Sequence, residues 1–447
     1  MVPLNNNKRD IAKRFILFAL SLLLFGMAFG LLGTLQYLIP GLAKNYISFE
    51  KTRPLHVSSV IFWILFAAIG SVLSYVQAYR KTQIAFPILL KLQWGLFAGT
   101  TILIILSYFT GKFGGREYWE FDPIFFLPIL LGWIFFIINF IATIGTFKNQ
   151  PVYVWMWATG CFFFLFTFIE SYLWVFPYFR NNIINDMTIQ WKSYGSMVGA
   201  WNMLIYGCGF YLLEKISEDK TYAKSTMAFV LYFTGLTNLM FNWGHHIYTL
   251  PTHHFIQRIS YLISMSELFI LGRIIYKWKS SLTEAQKLYH ELAYRFLLAA
   301  DVWVFLSLVL AIFMSIPAIN VYTHGTHITV AHSMGTTIGI NSFILLAIVI
   351  DIIQNSNNIT SNQIKWMKRG FWMSNISLLI FWLSLIIAGI LKSKWQMQIN
   401  KAPFNEMMSN AKPIFILFSV SGIFLFAGII AVILPILQSQ INNAKTD

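Results

Sequence analysis

Residues 322–341 read YTHGTHITVAHSMGTTIGIN. Three imidazoles, His324, His327 and His332, open an apolar run that continues to about residue 353. An ionisable side chain at membrane depth is costly and marks a cofactor, a pathway or a relay, so the reading of this stretch decides the fold. Residues two apart on a helix differ by about 200°, so His332 and Met334 leave opposite faces and can each reach a different planar cofactor. Imidazole and thioether are both competent axial ligands of heme iron, and methionine in place of histidine raises the reduction potential. By itself a buried methionine is ordinary core packing, so Met334 takes its meaning from what surrounds it.

Working outward, the 447 residues are 57% hydrophobic, 17% aromatic and 11% charged, a balance far from that of a soluble globular chain. Apolar runs long enough to cross a hydrocarbon layer, roughly 20 helical residues each, recur over 14–40, 54–79, 86–110, 124–146, 151–177, 191–216, 225–246, 254–277, 288–316, 326–353, 365–391 and 411–440. The expectation is an all-α integral membrane protein, a bundle of twelve transmembrane helices. Short connections make residues 1–447 one polytopic membrane domain. The first run follows KRDIAKR, is long and lacks a small-residue cleavage site, so it reads as a retained helix.

Most Lys and Arg, including Lys8, Arg9, Arg80, Lys81, Lys215, Lys220, Arg273, Lys277, Lys368 and Arg369, fall in loops on one side if both termini are cytoplasmic. That bias predicts a multi-pass membrane protein with this orientation, surrounded by lipid. It accounts for most of the net charge of +15 without any nucleic-acid partner. Cys161 and Cys208 stand alone in apolar runs, and no CxxC or CxxCH occurs. A thiolate metal site and a covalently attached heme are therefore excluded. No Walker loop or GxGxxG suggests a nucleotide-driven pump or a dinucleotide enzyme.

The other intramembrane polar residues are His56 in KTRPLHVSSVIFW (51–63), the pair His245 and His246 closing the seventh run, and Glu267 inside the eighth in YLISMSELFIL (261–271). A second pair, His253 and His254, follows Pro251. It reads as an interfacial loop rather than a site.

Together these features resemble the large subunit of heme–copper oxidases over nearly the whole chain. The segment GGREYWEFDP (114–123) and the HGTxxTxxH pattern are similar to the branch shared by nitric oxide reductases and C-family oxygen reductases, and especially to the former. The resemblance implies the bacterial inner membrane, two b-type hemes and a non-heme iron, or copper, at a binuclear site. It makes His56 an axial ligand of a low-spin heme, His332 the proximal ligand of a high-spin heme, and His245 and His246 ligands of the non-heme metal. Arg53 is placed to pair with a heme propionate. Glu117 or Glu120 becomes the carboxylate of a calcium bridging the propionates.

Two departures qualify the likeness. The sixth run, WKSYGSMVGAWNM (191–203), holds no histidine; Tyr194, Ser196 or Met197 occupies the turn where the family has its third metal ligand, and Val198 and Asn202 replace glutamates. The family's His-x-His in the tenth run is here His332-Ser333-Met334, so either His56 and Met334 ligate the low-spin heme or that heme is altered or absent. His327 is a weaker substitute, more than a turn away. Glu267 keeps its family spacing, and a set of His245, His246 and Glu267 would suit iron with open positions. Glu267 is also the expected catalytic proton carrier, with protons arriving from the outer side and no pumping.

Oxygen reductases of this superfamily carry a redox-active tyrosine near the metal. The A-type position is Thr249 here, and TNLMFNWG (237–244) offers none before the pair. The expected function is therefore a membrane oxidoreductase reducing NO to N2O, 2 NO + 2 e⁻ + 2 H⁺ → N2O + H2O. A membrane-anchored or soluble cytochrome c subunit is the expected electron donor. The alternatives are a divergent oxygen reductase and a non-catalytic heme-binding relative.

Overall fold

The computed structural model describes residues 11–266, 286–287, 290–354 and 359–446. Hydrocarbon offers backbone groups no partner, so apolar runs of this length close their own hydrogen bonds as helices. In chain order the main ones are α1 (Ile11–Leu38), α2 (Phe49–Arg80), α3 (Pro87–Phe109), α4 (Phe126–Ile144), α5 (Val152–Glu170), α6 (Ile183–Ser217), α7 (Thr226–Phe241), α8 (254–266), α9 (Glu291–Ser315), α10 (His327–Gln354), α11 (Ser361–Met397) and α12 (Phe404–Thr446). Ten are long and apolar enough to cross a membrane. The exceptions are α7, with 16 residues, and α8, followed here only over 254–266. The chain is thus a multi-pass helical membrane protein, and ten is the number of spans seen among the described residues.

Several ends are set by side chains. Asn182 accepts from the backbone of Ile184 and Asn185 to start α6, two turns before the apolar run 191–216 begins. Thr360 and Gln363 form a reciprocal capping box on α11, which satisfies two amides that would otherwise lack partners. The seventh run is cut short after Phe241, where residues Asn242–Ile247 tighten into a 3-10 helix. The Asn242 carbonyl accepts the Ser260 hydroxyl at 3.0 Å, so α8 takes up a group that a continuing helix would have used.

Among the described residues the main core is an apolar mass built around α2 and the inner part of α10, with a small second cluster at Ala388, Ala411 and Phe415. These two helices are pinned at two levels: Trp63 Nε1 donates to Ser342 Oγ at 3.0 Å and Tyr75 OH donates to Asp351 Oδ2 at 3.1 Å. Between the imidazole-bearing start of α10 and its buried end, residues Gly335–Ser342 form a π-helix, a wide turn that proteins place next to functional groups.

Candidate functional site

Arg53, His56, Glu117, Glu120, His245, His246, His332 and Met334 lie at one end of the bundle, where α2, α6 and α10 begin and α7 ends. His56 is the simplest. Its Nδ1 donates to the Gly26 carbonyl of α1 at 2.7 Å, since a carbonyl can only accept. That bond fixes the tautomer and leaves Nε2 to carry the ligand lone pair, which is how metal-binding imidazoles are oriented. A Cβ at Gly30 would sit 2.7 Å from His56 Nδ1, so glycine there admits the ring between α1 and α2.

Met334 is half-buried against the core. From the Trp63–Ser342 contact, His56 lies seven residues and Met334 eight residues toward the site end. Both therefore stand about 10 Å beyond that contact, at a common depth. His332, two residues before Met334, has its Nδ1 buried without a well-formed hydrogen bond, the backbone of Ser307 on α9 being its weak partner. His327 instead lies among Tyr37 of α1 and Phe415 of α12, with ring centroids 6.3 and 5.1 Å away. This placement takes it out of the His332–Met334 neighbourhood.

The pair His245 and His246 sits in the 3-10 turn with ring centroids 4.1 Å apart. His245 is buried. Its Nδ1 donates to Asn242 Oδ1 at 3.0 Å, and the same oxygen accepts Ser264 Oγ at 2.8 Å. Nε2 is left for a metal, as at His56. His246 is covered by Trp191 of α6, stacked at 4.9 Å and 8°. His332 and His324 are close enough to interact electrostatically with both members of the pair.

On α6, Tyr194 does not turn toward the pair; it is buried with its ring 5.2 Å from that of Tyr118. Ser196 Oγ donates to the Leu239 carbonyl at 2.9 Å. A Cβ at Gly195 would come within 2.7 Å of Trp243, and one at Gly199 within 2.9 Å of Leu239. Small residues thus let α6 pack hard against the end of α7, where a ligand side chain would need room.

Arg53 bridges Glu117, at 3.3 Å, and Glu120, so the three residues assigned to a propionate and a calcium form one cluster. Glu120 Oε2 is buried without a partner, an oxygen suited to a hard cation. Burial raises the Glu120 pKa, and the neighbouring Arg53 only partly offsets it. His253 and His254 are exposed, as a loop pair should be. Glu267 lies outside the described residues.

Sequence reasoning missed Trp191, Asn242, Asn320 and the inclusion of His324. It also missed a group at the opposite end, where Lys215 Nζ reaches both carboxylate oxygens of Asp351 at 2.7 and 2.8 Å. The AxxxD ending of an apolar run was the available signal for Asp351; nothing in the sequence marks Trp191.

This arrangement is that of a heme-binding membrane oxidoreductase fold. The chain belongs to the family described as cytochrome c and quinol oxidase polypeptide I, whose profile matches residues 10–424. Members of this heme–copper oxidase family are oxidoreductases that bind hemes and a binuclear-site metal. Among its relatives, a nitric oxide reductase subunit of Stutzerimonas stutzeri is 22% identical over 455 residues, covering 94% of this chain and 92% of that one. The Cbb3-type cytochrome c oxidase subunit CcoN1 of the same organism is also 22% identical, over 435 residues, covering 91% and 89%. A heme–copper terminal oxidase dimer solved by cryo-EM superposes with a TM-score of 0.78 at 14% identity, over 96% of this chain and 83% of its own. That likeness shows the fold.

Proposed function

We propose that this chain is the catalytic subunit of a membrane nitric oxide reductase, forming N2O from NO with electrons from a c-type cytochrome. The observation that carries the reading is the His245/His246 pair, held by Asn242 and near enough to His332 to interact with it electrostatically. The residues fit the groups that the family implies: His56 and Met334 at one depth for a low-spin heme, His332 for a high-spin heme, and the pair for non-heme iron. When bound, a high-spin heme held by His332 and a non-heme metal held by the pair would supply the electrons and the binding positions for NO.

The protein's own part is positioning, dryness and protons. Hydrogen bonds from Nδ1 hold His56 and His245 with Nε2 left free to take a metal, and Trp191 stacks over His246. The Asn242–Ser264 link carries the hydrogen-bonded chain from His245 onto α8. Glu267 follows three residues later in the sequence and is proposed as the carboxylate that hands protons to the site. Tyr248, the nearest tyrosine in sequence, donates to the Gln257 carbonyl at 3.3 Å, which takes it away from the pair. This supports NO over O2, because NO reduction needs two electrons and no protein radical. The oxygen-reductase reading is favoured by one fact, the equal identity to the Cbb3-type relative.

The purified protein, given a reduced electron donor and NO without oxygen, should release N2O and contain two b-type hemes with one non-heme iron. Oxygen consumption without N2O would instead establish the oxygen-reductase reading. Both termini are proposed to be cytoplasmic, and the Arg53–Glu117–Glu120 cluster to hold calcium when hemes are in place.

A further inference from the structure

Loss of the sixth-helix histidine leaves the pair His245/His246 one imidazole short, and the structure places another beside it. The His324 ring centroid lies 6.5 Å from that of His246 at 66°. Two imidazoles bound to one metal at N–metal distances of about 2.0–2.1 Å have ring centroids up to roughly 6.4 Å apart. That maximum belongs to a trans pair; at the angles of a three-nitrogen set the centroids come to roughly 4.5–5.3 Å apart, so the His324 ring stands about 1 Å outside the range one ion spans. Among the described residues no three such side chains form a finished cage, and a modest rotation of the half-buried His324 ring is the movement required.

Two further observations tie His324 to this place. The buried side chain of Asn320 donates to the His245 carbonyl at 3.3 Å, while its own carbonyl accepts the His324 backbone N–H at 2.8 Å. One residue thereby fastens the two imidazole-bearing segments together. Trp191 stacks on His246 and meets His324 edge-on at 6.2 Å. The tryptophan fills the α6 side of the cluster, where the missing ligand would have entered, and leaves the His324 side as the approach for a third nitrogen.

We infer that His324 is the third imidazole ligand of the non-heme metal, supplied from the loop before α10 in place of the sixth helix. The inference rests on the binuclear reading above and is separable from it. It makes the site a three-histidine set of neutral nitrogens, suited to a first-row divalent cation such as Fe²⁺, with Glu267 free to carry protons.

The test uses the full-length protein in detergent, hemes in place, cleared of non-heme metal with a chelator and titrated with Co²⁺. His324→Cys should add a thiolate-to-cobalt charge-transfer band, a signal only a direct ligand produces. His324→Ala should weaken Co²⁺ binding by at least about 100-fold, since even residues that merely orient a ligand cost 10–100-fold, while the heme content stays unchanged. Normal Co²⁺ binding in both His324 variants, with no new band, would overturn the inference while binding lost in His245→Ala and His246→Ala kept the binuclear reading. Co²⁺ binding unaffected in all four variants would overturn both.

Discussion

The α2/α10 half of the molecule and the α6/α7 half hold their chemistry differently. In the first, His56 hangs from a backbone carbonyl of α1, and α2 and α10 are pinned to each other at two depths. In the second, the helix that should bring a ligand brings glycines and a stacked tryptophan, and the imidazoles stand on a 3-10 turn and a loop. A ligand held by backbone packing is hard to move without losing the fold. One held by a turn can be replaced from a neighbouring loop, and the departures from the family pattern fall mostly on that side.

The comparison breaks first at His332. His332→Ala should remove the high-spin heme, leaving about one heme per chain in a reduced-minus-oxidised spectrum and no N2O formation; retention of both hemes would mean that α10 is not the heme-bearing helix. Next comes the opposite end of α6. Lys215→Ala takes its cation from the buried Asp351 carboxylate, which keeps the Tyr75 hydroxyl at 3.1 Å and His290 at 4.0 Å; breaking one side of a buried pair costs about 3 kcal/mol, at the low end because Lys215 is partly exposed. Thermal unfolding followed by circular dichroism would register it, and no change would show that α6 is not anchored to α10 there.

Gly195→Ala should cost about 1–3 kcal/mol through overpacking against Trp243, with His245/His246 metal content falling in parallel. A neutral result would mean that α6 has room for a ligand after all. The smallest effect is expected from Glu120→Gln. Burial raises the folded-state pKa above its ordinary 4.5, so the protonated carboxyl favours the fold, and that contribution is present below 4.5 and lost as pH rises through the raised value. The variant should flatten the stability profile over that window, measured without calcium.

Much of this was legible beforehand. Helices are forced wherever roughly 20 apolar residues meet lipid, and His56, His245, His246 and His332 stood out because imidazoles are rare at that depth. The end of α7 was not legible: Asn242 spends its carbonyl on Ser260 and its side chain on His245 and Ser264, partners that only tertiary packing supplies. The company of His324 was hidden for the same reason, since Asn320 joins segments far apart in the chain. Arg53 was singled out for a propionate, and the structure pairs it with Glu117 and Glu120, a pairing the one-residue-at-a-time reading kept apart. The two-turn extension of α6 before residue 191 carries polar side chains and so left no hydropathy signal.

The π-helix of Gly335–Ser342 acts as a gear between the two parts of α10. Each residue of an α-helix turns the chain by about 100°, and the wider turn absorbs one extra residue. The anchor at Asp351 and the proposed ligands His332 and Met334 are therefore phased by that insertion. Removing a single residue from 335–342 would let the helix run regular and swing His332 and Met334 by about 100° against a fixed inner end. The direction in which the side chains of His332 and Met334 leave the helix is thus set by one surplus residue.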